Sequence, residues 1–233
     1  MKRTIGIIGG MGPEATADLY LKIIRATPAR RDQDHFHVLI DSNPAIPDRT
    51  AAIFGRGEDP VPALQETARN LELAGADFLV MPCNTAHYFY SEIRAAVRIP
   101  ILHMMRETAA YTVDRWPGLR RVGLLATDGT LKTRLYHQAF VERGVEVLQP
   151  TTADQELVMR AIYGEDGIKA GQHEGPRRIL LAVAQGLVAA GAEAVVAGCT
   201  EIPLVLRDGD LAVPVIDATW ILALAAVREA GRS

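Results

Sequence analysis

The chain has 233 residues, of which 48% are hydrophobic and 23% charged, and its formal net charge is −3 at pH 7. This length suits one large domain or two small ones, and the composition is typical of a soluble globular protein. Lys and Arg residues are scattered along the chain, which argues against a nucleic-acid partner.

The N-terminal residues resemble a strand rather than a signal peptide, and no run of about 18 apolar residues occurs. We therefore expect a cytoplasmic protein that does not contact a membrane. Structural disulfides are rare in that reducing compartment. The two cysteines, Cys83 and Cys199, are accordingly expected to be free thiols.

Strand-like runs alternate with helix-like runs from the N-terminus onward. Three strand-like runs that are apolar on both faces are each followed by a helix-like run: TIGIIGG by EATADLYLKIIRA, HVLIDSN by PVPALQETARNLELAG, and DFLVMPC by AHYFYSEIRAAV. In the second of these helices, Val61, Leu64, Ala68 and Leu71 share one face, and Gly75 suits the C-terminal end. Such alternation predicts a parallel sheet covered by helices.

The second half of the chain repeats the first. The phrase GADFLVMPC begins at Gly75 and GAEAVVAGC begins at Gly191, so the two cysteines end equivalent phrases. IGIIGGMG near the N-terminus matches VGLLATDG, and each half later reaches an apolar phrase that contains a proline, Pro100 or Pro214. Three matched segments in the same order predict an α/β fold of two pseudo-symmetric domains, each an open, mostly parallel sheet flanked by helices.

Each cysteine follows a strand-like run and precedes a helix-like segment. Ligands of open α/β sheets bind beyond the carboxyl ends of the strands, so two facing domains would bring two thiols to one ligand in the interdomain cleft. A helix N-terminus lowers the pKa of a thiol and binds carboxylates through its backbone N–H groups. One thiol could then remove a proton from a carbon while the other supplies one to the opposite face, which inverts a stereocentre. The alternative is that each cysteine is a small buried hydrophobic residue.

Other motifs favour other functions. GMGPEA, from Gly10 to Ala15, fits a dinucleotide-binding fingerprint, and Asp41 ends the next strand as a ribose-binding acid would. That alternative leaves both cysteines unexplained. His35 and His37 share a strand face but lack a third ligand, so no metal site is expected.

Two polar loops, DSNPAIPDRT and EDGIKAG, each carry one cation, Arg49 or Lys169. These cations could hold a second carboxylate of the ligand.

These motifs together resemble the cofactor-independent aspartate/glutamate racemases, and most closely their aspartate racemase branch. The resemblance extends through GIIGGMGPEAT, NPAIPDRT, MPCNTAH, LLATDGT, GIKAG and GCTEIPLVL, which span nearly the whole chain. It implies a homodimer of two-domain subunits that acts on a small amino acid in the interdomain cleft without pyridoxal phosphate.

The resemblance also implies roles for individual residues. Cys83 and Cys199 would be the acid/base pair, and Arg49 and Lys169 would bind the side-chain carboxylate of aspartate. Glu201 would tune Cys199. The remaining expected substrate-binding residues are Met11, Asn84, Thr85, Thr127 and Thr200, with Asn84, Thr85 and Thr200 serving the α-carboxylate and amino group.

Two departures from the glutamate racemase pattern favour aspartate. That branch has an Asp-Ser pair after the first strand and a histidine two places beyond the second cysteine, whereas this chain has Gly10-Met11 and Glu201. The remaining alternatives are a racemase of glutamate or of broad amino-acid specificity, and a non-catalytic protein that binds a nucleotide or another small molecule.

The repeat also predicts the domain boundaries. If each half lends its last strand and helix to the other domain, as the resemblance implies, the first domain is 1–98 plus 211–233 and the second is 99–210.

Overall fold

The structure is a computed structural model that describes residues 2–232. The chain divides into two compact units, one formed by Met1–Glu107 with Thr219–Ser233 and the other by Thr108–Ala218. Each unit contains one parallel sheet with helices around it, which confirms the predicted fold class. None of the helices within residues 2–232 combines the length and the apolar character needed to cross a membrane.

The regular elements alternate along the chain as the sequence predicts. The strands are β1 (Ile5–Gly9), β2 (Val38–Ser42), β3 (Phe78–Val80), β4 (Arg121–Leu125), β5 (Glu146–Leu148), β6 (Ala194–Ala197) and β7 (Val215–Asp217). The α-helices are α1 (Pro13–Ala26), α2 (Arg49–Ile53), α3 (Val61–Leu73), α4 (Tyr90–Ala95), α5 (Met104–Arg115), α6 (Asp128–Thr133), α7 (Leu135–Val141), α8 (Thr152–Tyr163), α9 (Glu174–Ala189) and α10 (Ala218–Ala230). Short 3-10 helices span Asp32–Asp34, Thr85–Phe89, Ile168–Ala170 and Ile202–Leu204.

The sheet of the first unit has the strand order β2-β1-β3. All five residues of β1 are buried because α1 and α3 contribute apolar side chains to the two faces of this central strand. In α3 the side chains of Leu64, Ala68 and Leu71 are buried, as their spacing predicts, and Gly75 follows the helix at φ +97°. The hydrophobic effect of this burial holds β1 and β3 side by side.

The sheet of the second unit has the order β5-β4-β6-β7. Its core includes Leu125 from β4, Val195 from β6 and Leu180 and Leu187 from α9. The register is equivalent to that of the first unit: Gly6 pairs with Leu79 in one sheet, and Gly123 pairs with Val195 in the other. The matched phrases of the sequence thus occupy matched positions in the two sheets.

The strand that follows each proline pairs with its own half, which corrects the predicted exchange of strands. The carbonyl of Pro100 accepts a hydrogen bond from Leu79 N at 2.8 Å, and that of Pro214 accepts one from Val195 N at 2.9 Å. These bonds supply the acceptor that β3 or β6 needs on its open side, so β7 joins β6 and Ile101 forms a bridge with Leu79. The other boundaries of the domains 1–98 plus 211–233 and 99–210 stay a prediction, and residues 1 and 233 lie outside the described residues.

Helix α10 belongs to the first unit from Thr219 onward. Arg3 N donates to Ala230 O at 3.0 Å, and the guanidinium of Arg3 pairs with Glu229. Arg228 pairs with Glu107 at 2.6 Å. These contacts connect the C-terminal helix to the residues just before β1 and to α5.

Gly10 lies where β1 turns towards α1, and its missing Cβ allows a close approach of backbone. It adopts φ +93°, and a Cβ placed there would lie 2.3 Å from the carbonyl carbon and oxygen of Asn43. The backbone beyond β2 therefore fills the space that glycine leaves. In a dinucleotide fingerprint the ligand would need that space.

We expect Gly10→Ala to lower the free energy of unfolding by more than Gly75→Ala does. Gly75 has φ +97° with nothing within 4 Å of an added Cβ, so its substitution adds only backbone strain of about 1–2 kcal/mol. At Gly10 the clash with Asn43 adds about 1–3 kcal/mol more. Urea unfolding of both variants measures the difference, and equal losses would show that Asn43 moves aside without cost.

Candidate active site

Cys83 lies just past the carboxyl end of β3 and is buried, with 5% of its surface exposed. The segment that follows it is the five-residue 3-10 helix Thr85–Phe89 rather than a long α-helix. Asn84 lies at the N-cap position of this 3-10 helix, but its side chain makes no capping hydrogen bond there. The prediction that an α-helix begins at Cys83 is therefore wrong, because a 3-10 helix follows instead. The prediction that a strand ends just before Cys83 is confirmed.

The carbonyl of Cys83 forms a hydrogen bond with His87, a contact that the sequence analysis above does not predict. His87 is 1% exposed, and its Nδ1 lies 2.8 Å from the Cys83 oxygen. The spacing of four residues within MPCNTAH is the one signal that could have indicated such a contact.

Met11 and Arg49 lie beyond the ends of β1 and β2 in the same unit. Both are buried, and Arg49 Nη2 contacts Met11 O at 3.5 Å. Nη1 of Arg49 donates to the carbonyls of Ile46 and Pro47 at 3.1 and 3.0 Å. The guanidinium thus orients the loop that carries it.

Cys199 follows β6 and is 7% exposed. Its Sγ donates to Glu201 Oε2 at 2.9 Å, and Lys169 Nζ donates to Glu201 Oε1 at 2.6 Å. A thiol, a carboxylate and an ammonium group therefore form one hydrogen-bonded chain. The Glu201 side chain is 5% exposed, and the Lys169 side chain is 25% exposed.

The pKa of the Cys199 thiol is raised well above its ordinary value, which is the opposite of the predicted effect of a helix N-terminus. Burial is the main cause, and the negative charge of Glu201 adds to it. The positive charge of Lys169 acts in the opposite direction. The 3-10 helix nearby, Ile202–Leu204, has three residues, too few for a substantial helix dipole. This shift favours the protonated thiol of Cys199 over the thiolate near neutral pH.

Thr127 caps α6 at the carboxyl end of β4. Its Oγ1 accepts a hydrogen bond from Thr130 N at 3.3 Å, and the residue is 2% exposed. Because Leu125 of β4 pairs with Ala197 of β6, Thr127 and Cys199 leave the sheet at the same edge.

A fully buried tyrosine, Tyr136, also lies near Cys199 and was not expected from the sequence. Burial raises its pKa far above the ordinary value, a hydrogen bond with the Thr108 side chain opposes the shift, and the negative charges that Cys199 and Asp217 carry when ionised add to it. No sequence pattern places Tyr136 beside Cys199.

The predicted site residues divide between the two units. In the first unit, Met11, Cys83 and Ile46 belong to one buried cluster, next to Arg49, and Asn84 and Thr85 follow Cys83. In the second unit, Lys169, Cys199 and Glu201 contact one another, and Thr200 lies between the last two in the chain. The polar members of the set with at most 6% exposure are Asn84, Thr85, Thr127, Thr200 and Glu201. Burial of so many polar side chains costs free energy, which indicates a role beyond packing.

Two cavities lie elsewhere. One, of about 400 Å³, lies beside the start of α9, where Arg177 forms a bidentate ion pair with Asp210. The other, of about 360 Å³, is lined by residues of α1 and by Phe36. Neither is lined by a cysteine. Within residues 2–232 no group of three or more His, Cys, Asp or Glu side chains is arranged to hold a metal ion.

Proteins of one family resemble this chain over almost its whole length. A family model described as Asp/Glu/Hydantoin racemase matches residues 8–226. The broad specificity amino-acid racemase RacX of Bacillus subtilis is 30% identical over 229 residues, which cover 96% of this chain and 96% of that protein. The solved structure of Picrophilus torridus aspartate racemase is 32% identical, with a TM-score of 0.89 over 99% of this chain and 95% of that chain. An aspartate racemase homologue from Pyrococcus horikoshii is 28% identical, with a TM-score of 0.77 and 100% of both chains covered.

We expect Glu201→Gln and Lys169→Met to shift the pKa of the Cys199 thiol in opposite directions. Removal of the Glu201 charge lowers this pKa, whereas removal of the Lys169 charge raises it. The measurement is the pH dependence of iodoacetamide labelling in a Cys83→Ser background, where Cys199 is the one cysteine of the sequence. Shifts of the same sign in both variants would contradict the arrangement described.

Proposed function

The chain belongs to the Asp/Glu/Hydantoin racemase family, and we propose that it interconverts L- and D-aspartate by proton transfer at the α-carbon, with Cys83 and Cys199 as the acid/base pair and without a cofactor. The family model and the similar racemases confirm the family that the motifs indicate. They also support the prediction that this chain is an amino-acid racemase. The observation that carries the proposal is that both cysteines are buried just beyond the carboxyl ends of equivalent strands.

The proposed reaction is a two-base proton transfer. The thiolate of one cysteine takes the α-proton, the electron pair of the broken C–H bond stays on the carbon, and the thiol of the other cysteine gives its proton to the opposite face. Each turnover therefore exchanges the protonation states of Cys83 and Cys199. The reverse reaction restores them.

Cys199 starts this cycle as the acid. Its proton points to Glu201, and burial and the Glu201 charge raise the pKa of the thiol. In the direction that uses Cys83 as base, Cys199 already carries the proton that the product needs. We assign Glu201 the role of keeping the Cys199 thiol protonated. The α-carboxylate and the amino group of the substrate are assigned to Asn84, Thr85 and Thr200.

The aspartate assignment depends on Arg49 and Lys169. Lys169 is partly exposed and pairs with Glu201, so a side-chain carboxylate of the substrate would share this ammonium group with Glu201. An ammonium group has three N–H donors and can bind two carboxylates at once. Arg49, oriented by the carbonyls of its own loop, is the second proposed cation.

A racemase of broad specificity is a second candidate. The observation that favours it is that Glu201 already partly neutralises Lys169, which weakens the attraction of that cation for a substrate carboxylate. The similarity to a Bacillus subtilis racemase of broad specificity also supports this second candidate. A substrate panel separates the two candidates.

We expect Cys83→Ser and Cys199→Ser each to abolish racemisation of aspartate and to retain opposite partial reactions. A variant with one thiolate can still remove and return the α-proton on one face, because abstraction and return need the same sulfur. In deuterated water, one variant should wash deuterium into L-aspartate and the other into D-aspartate. Each variant is the matched control of the other. Racemisation by both variants at the parent rate would refute the two-thiol mechanism.

Lys169→Met should lower kcat/KM for aspartate about 10- to 100-fold more than for alanine, as loss of a hydrogen bond to a charged group predicts. Any change at Cys199 affects both substrates, so the ratio of the two values isolates the contact with the side-chain carboxylate. Lys22→Met is the control, because Lys22 forms an ion pair with Asp18 on α1, away from the strand ends. An unchanged ratio in Lys169→Met would favour the racemase of broad specificity.

A further inference from the structure

His87 forms hydrogen bonds with the backbone of Cys83, Leu102 and Met104, and those with Cys83 and Met104 define which ring nitrogen carries the proton. The backbone N–H of Met104 donates to Nε2 at 3.1 Å, and Nδ1 lies 2.8 Å from the carbonyl oxygen of Cys83. A neutral imidazole has one donor and one acceptor nitrogen. Because Nε2 must accept, Nδ1 carries the hydrogen and donates to Cys83.

The surroundings of His87 keep the ring neutral. Burial lowers its pKa to about 3, and the nearby His103 contributes in the same direction. The rings that face it are those of His103, at 5.0 Å, and Tyr90, stacked at 6.4 Å. The Nδ1–H tautomer therefore persists at any pH near neutrality.

The direction of the Cys83 carbonyl determines the direction of the next backbone N–H. The peptide bond between Cys83 and Asn84 is trans. In a planar trans peptide the C=O and N–H bonds point in opposite directions. His87, by holding the oxygen on its own side, turns the Asn84 N–H the other way and restricts rotation at Cys83.

We propose that His87 is a positioning residue for Cys83: its Nδ1–H holds the Cys83 carbonyl and so sets the orientation of both the reactive thiol and the Asn84 N–H. This inference rests on the proposed function for the role of Cys83 as an acid/base group. In this proposal His87 acts through the backbone of Cys83 and does not exchange a proton with the substrate.

A purely structural role is the alternative to be separated. His87 also satisfies the first N–H of α5, at Met104, and that bond would stabilise the fold wherever the thiol lay. A test must therefore measure the reactivity of Cys83 and not only the stability of the chain.

The experiment compares His87→Phe, which keeps a flat ring and removes both hydrogen bonds, with His87→Gln, whose amide retains a donor and an acceptor. Tyr90→Phe is the matched control, because it removes the hydrogen bond from Tyr90 to Ile101 O beside His87 and leaves Cys83 untouched. Thermal unfolding is recorded for all three variants.

The first readout is kinetic. We expect kcat/KM to fall about 100-fold in His87→Phe, the scale of a small misplacement of a reacting group, with partial recovery in His87→Gln and no loss in Tyr90→Phe. Deuterium wash-in is then measured with His87→Phe added to each single-cysteine variant. The loss should be larger when Cys83 is the remaining thiol than when Cys199 is. Equal losses of deuterium wash-in in the two single-cysteine variants, or no loss in either, would overturn the proposal.

The second readout needs no substrate, so it separates failure of this proposal from failure of the proposed function. Release of the Cys83 carbonyl should change the iodoacetamide labelling rate of Cys83 about fivefold, the factor that one lost hydrogen bond gives, while that of Cys199 stays constant. Equal labelling in the parent and in His87→Phe would refute the proposal even in an active racemase.

A third readout remains available should His87→Phe fail to fold. Nitrogen-15 spectra of the parent protein should show His87 as the Nδ1–H tautomer with no titration between pH 5 and pH 9. A protonated Nε2, or a ring that titrates in that range, would refute the proposal.

Discussion

Parallel pairing of neighbouring strands places each cysteine at the carboxyl end of a strand that lies beside the central strand of its sheet. In each sheet the central strand, β1 or β4, pairs with the strand that precedes a cysteine, β3 or β6, in equivalent register. Parallel strands end at the same edge, so the loops after them meet there. A shift of the register by one residue would turn the side chains of a strand to the opposite face and remove this alignment.

The two thiols are held in different ways. Cys83 is held through its backbone, by a neutral histidine that bonds to its carbonyl. Cys199 is held through its sulfur, by a carboxylate that bonds in turn to a lysine. The first arrangement adds no charge beside the sulfur, whereas the second places opposite charges beside it. A pair of similar residues at equivalent positions can thus have unequal environments, and two-base catalysis requires that one thiol be protonated when the other is not.

Lys169 and Glu201 connect acid/base chemistry with substrate recognition in the proposed mechanism. Lys169 opposes the effect of Glu201 on the Cys199 pKa, and the same ammonium group is the cation proposed for the substrate side chain. A carboxylate that draws Lys169 away from Glu201 would therefore also alter the environment of the thiol. Selectivity for aspartate and proton transfer at Cys199 would then depend on one ion pair.

Much of the fold is predictable from local sequence pattern. Apolar runs, helical periodicity and the repeated phrases around Gly75 and Gly191 depend on neighbours along the chain, and they identify the strands, the helices and the two strand ends at the cysteines. The short helical segments after Cys83 and Cys199 are less predictable, since 3-10 turns are frequent at the ends of α-helices and the hydrophobic pattern of so few residues does not distinguish the two.

What the tertiary structure alone decides are contacts between residues distant in sequence. The pairing of β7 with β6, the contact of Lys169 with Glu201 and the bond from Met104 to His87 depend on which groups are buried together. The pKa of Cys199 depends on the same burial, because desolvation outweighs any favourable effect of a nearby helix end. The repeated phrases are enough to place the two cysteines at the ends of equivalent strands. That a histidine contacts one cysteine and a carboxylate the other follows from the folding of the chain, because burial and charge depend on the surroundings in space.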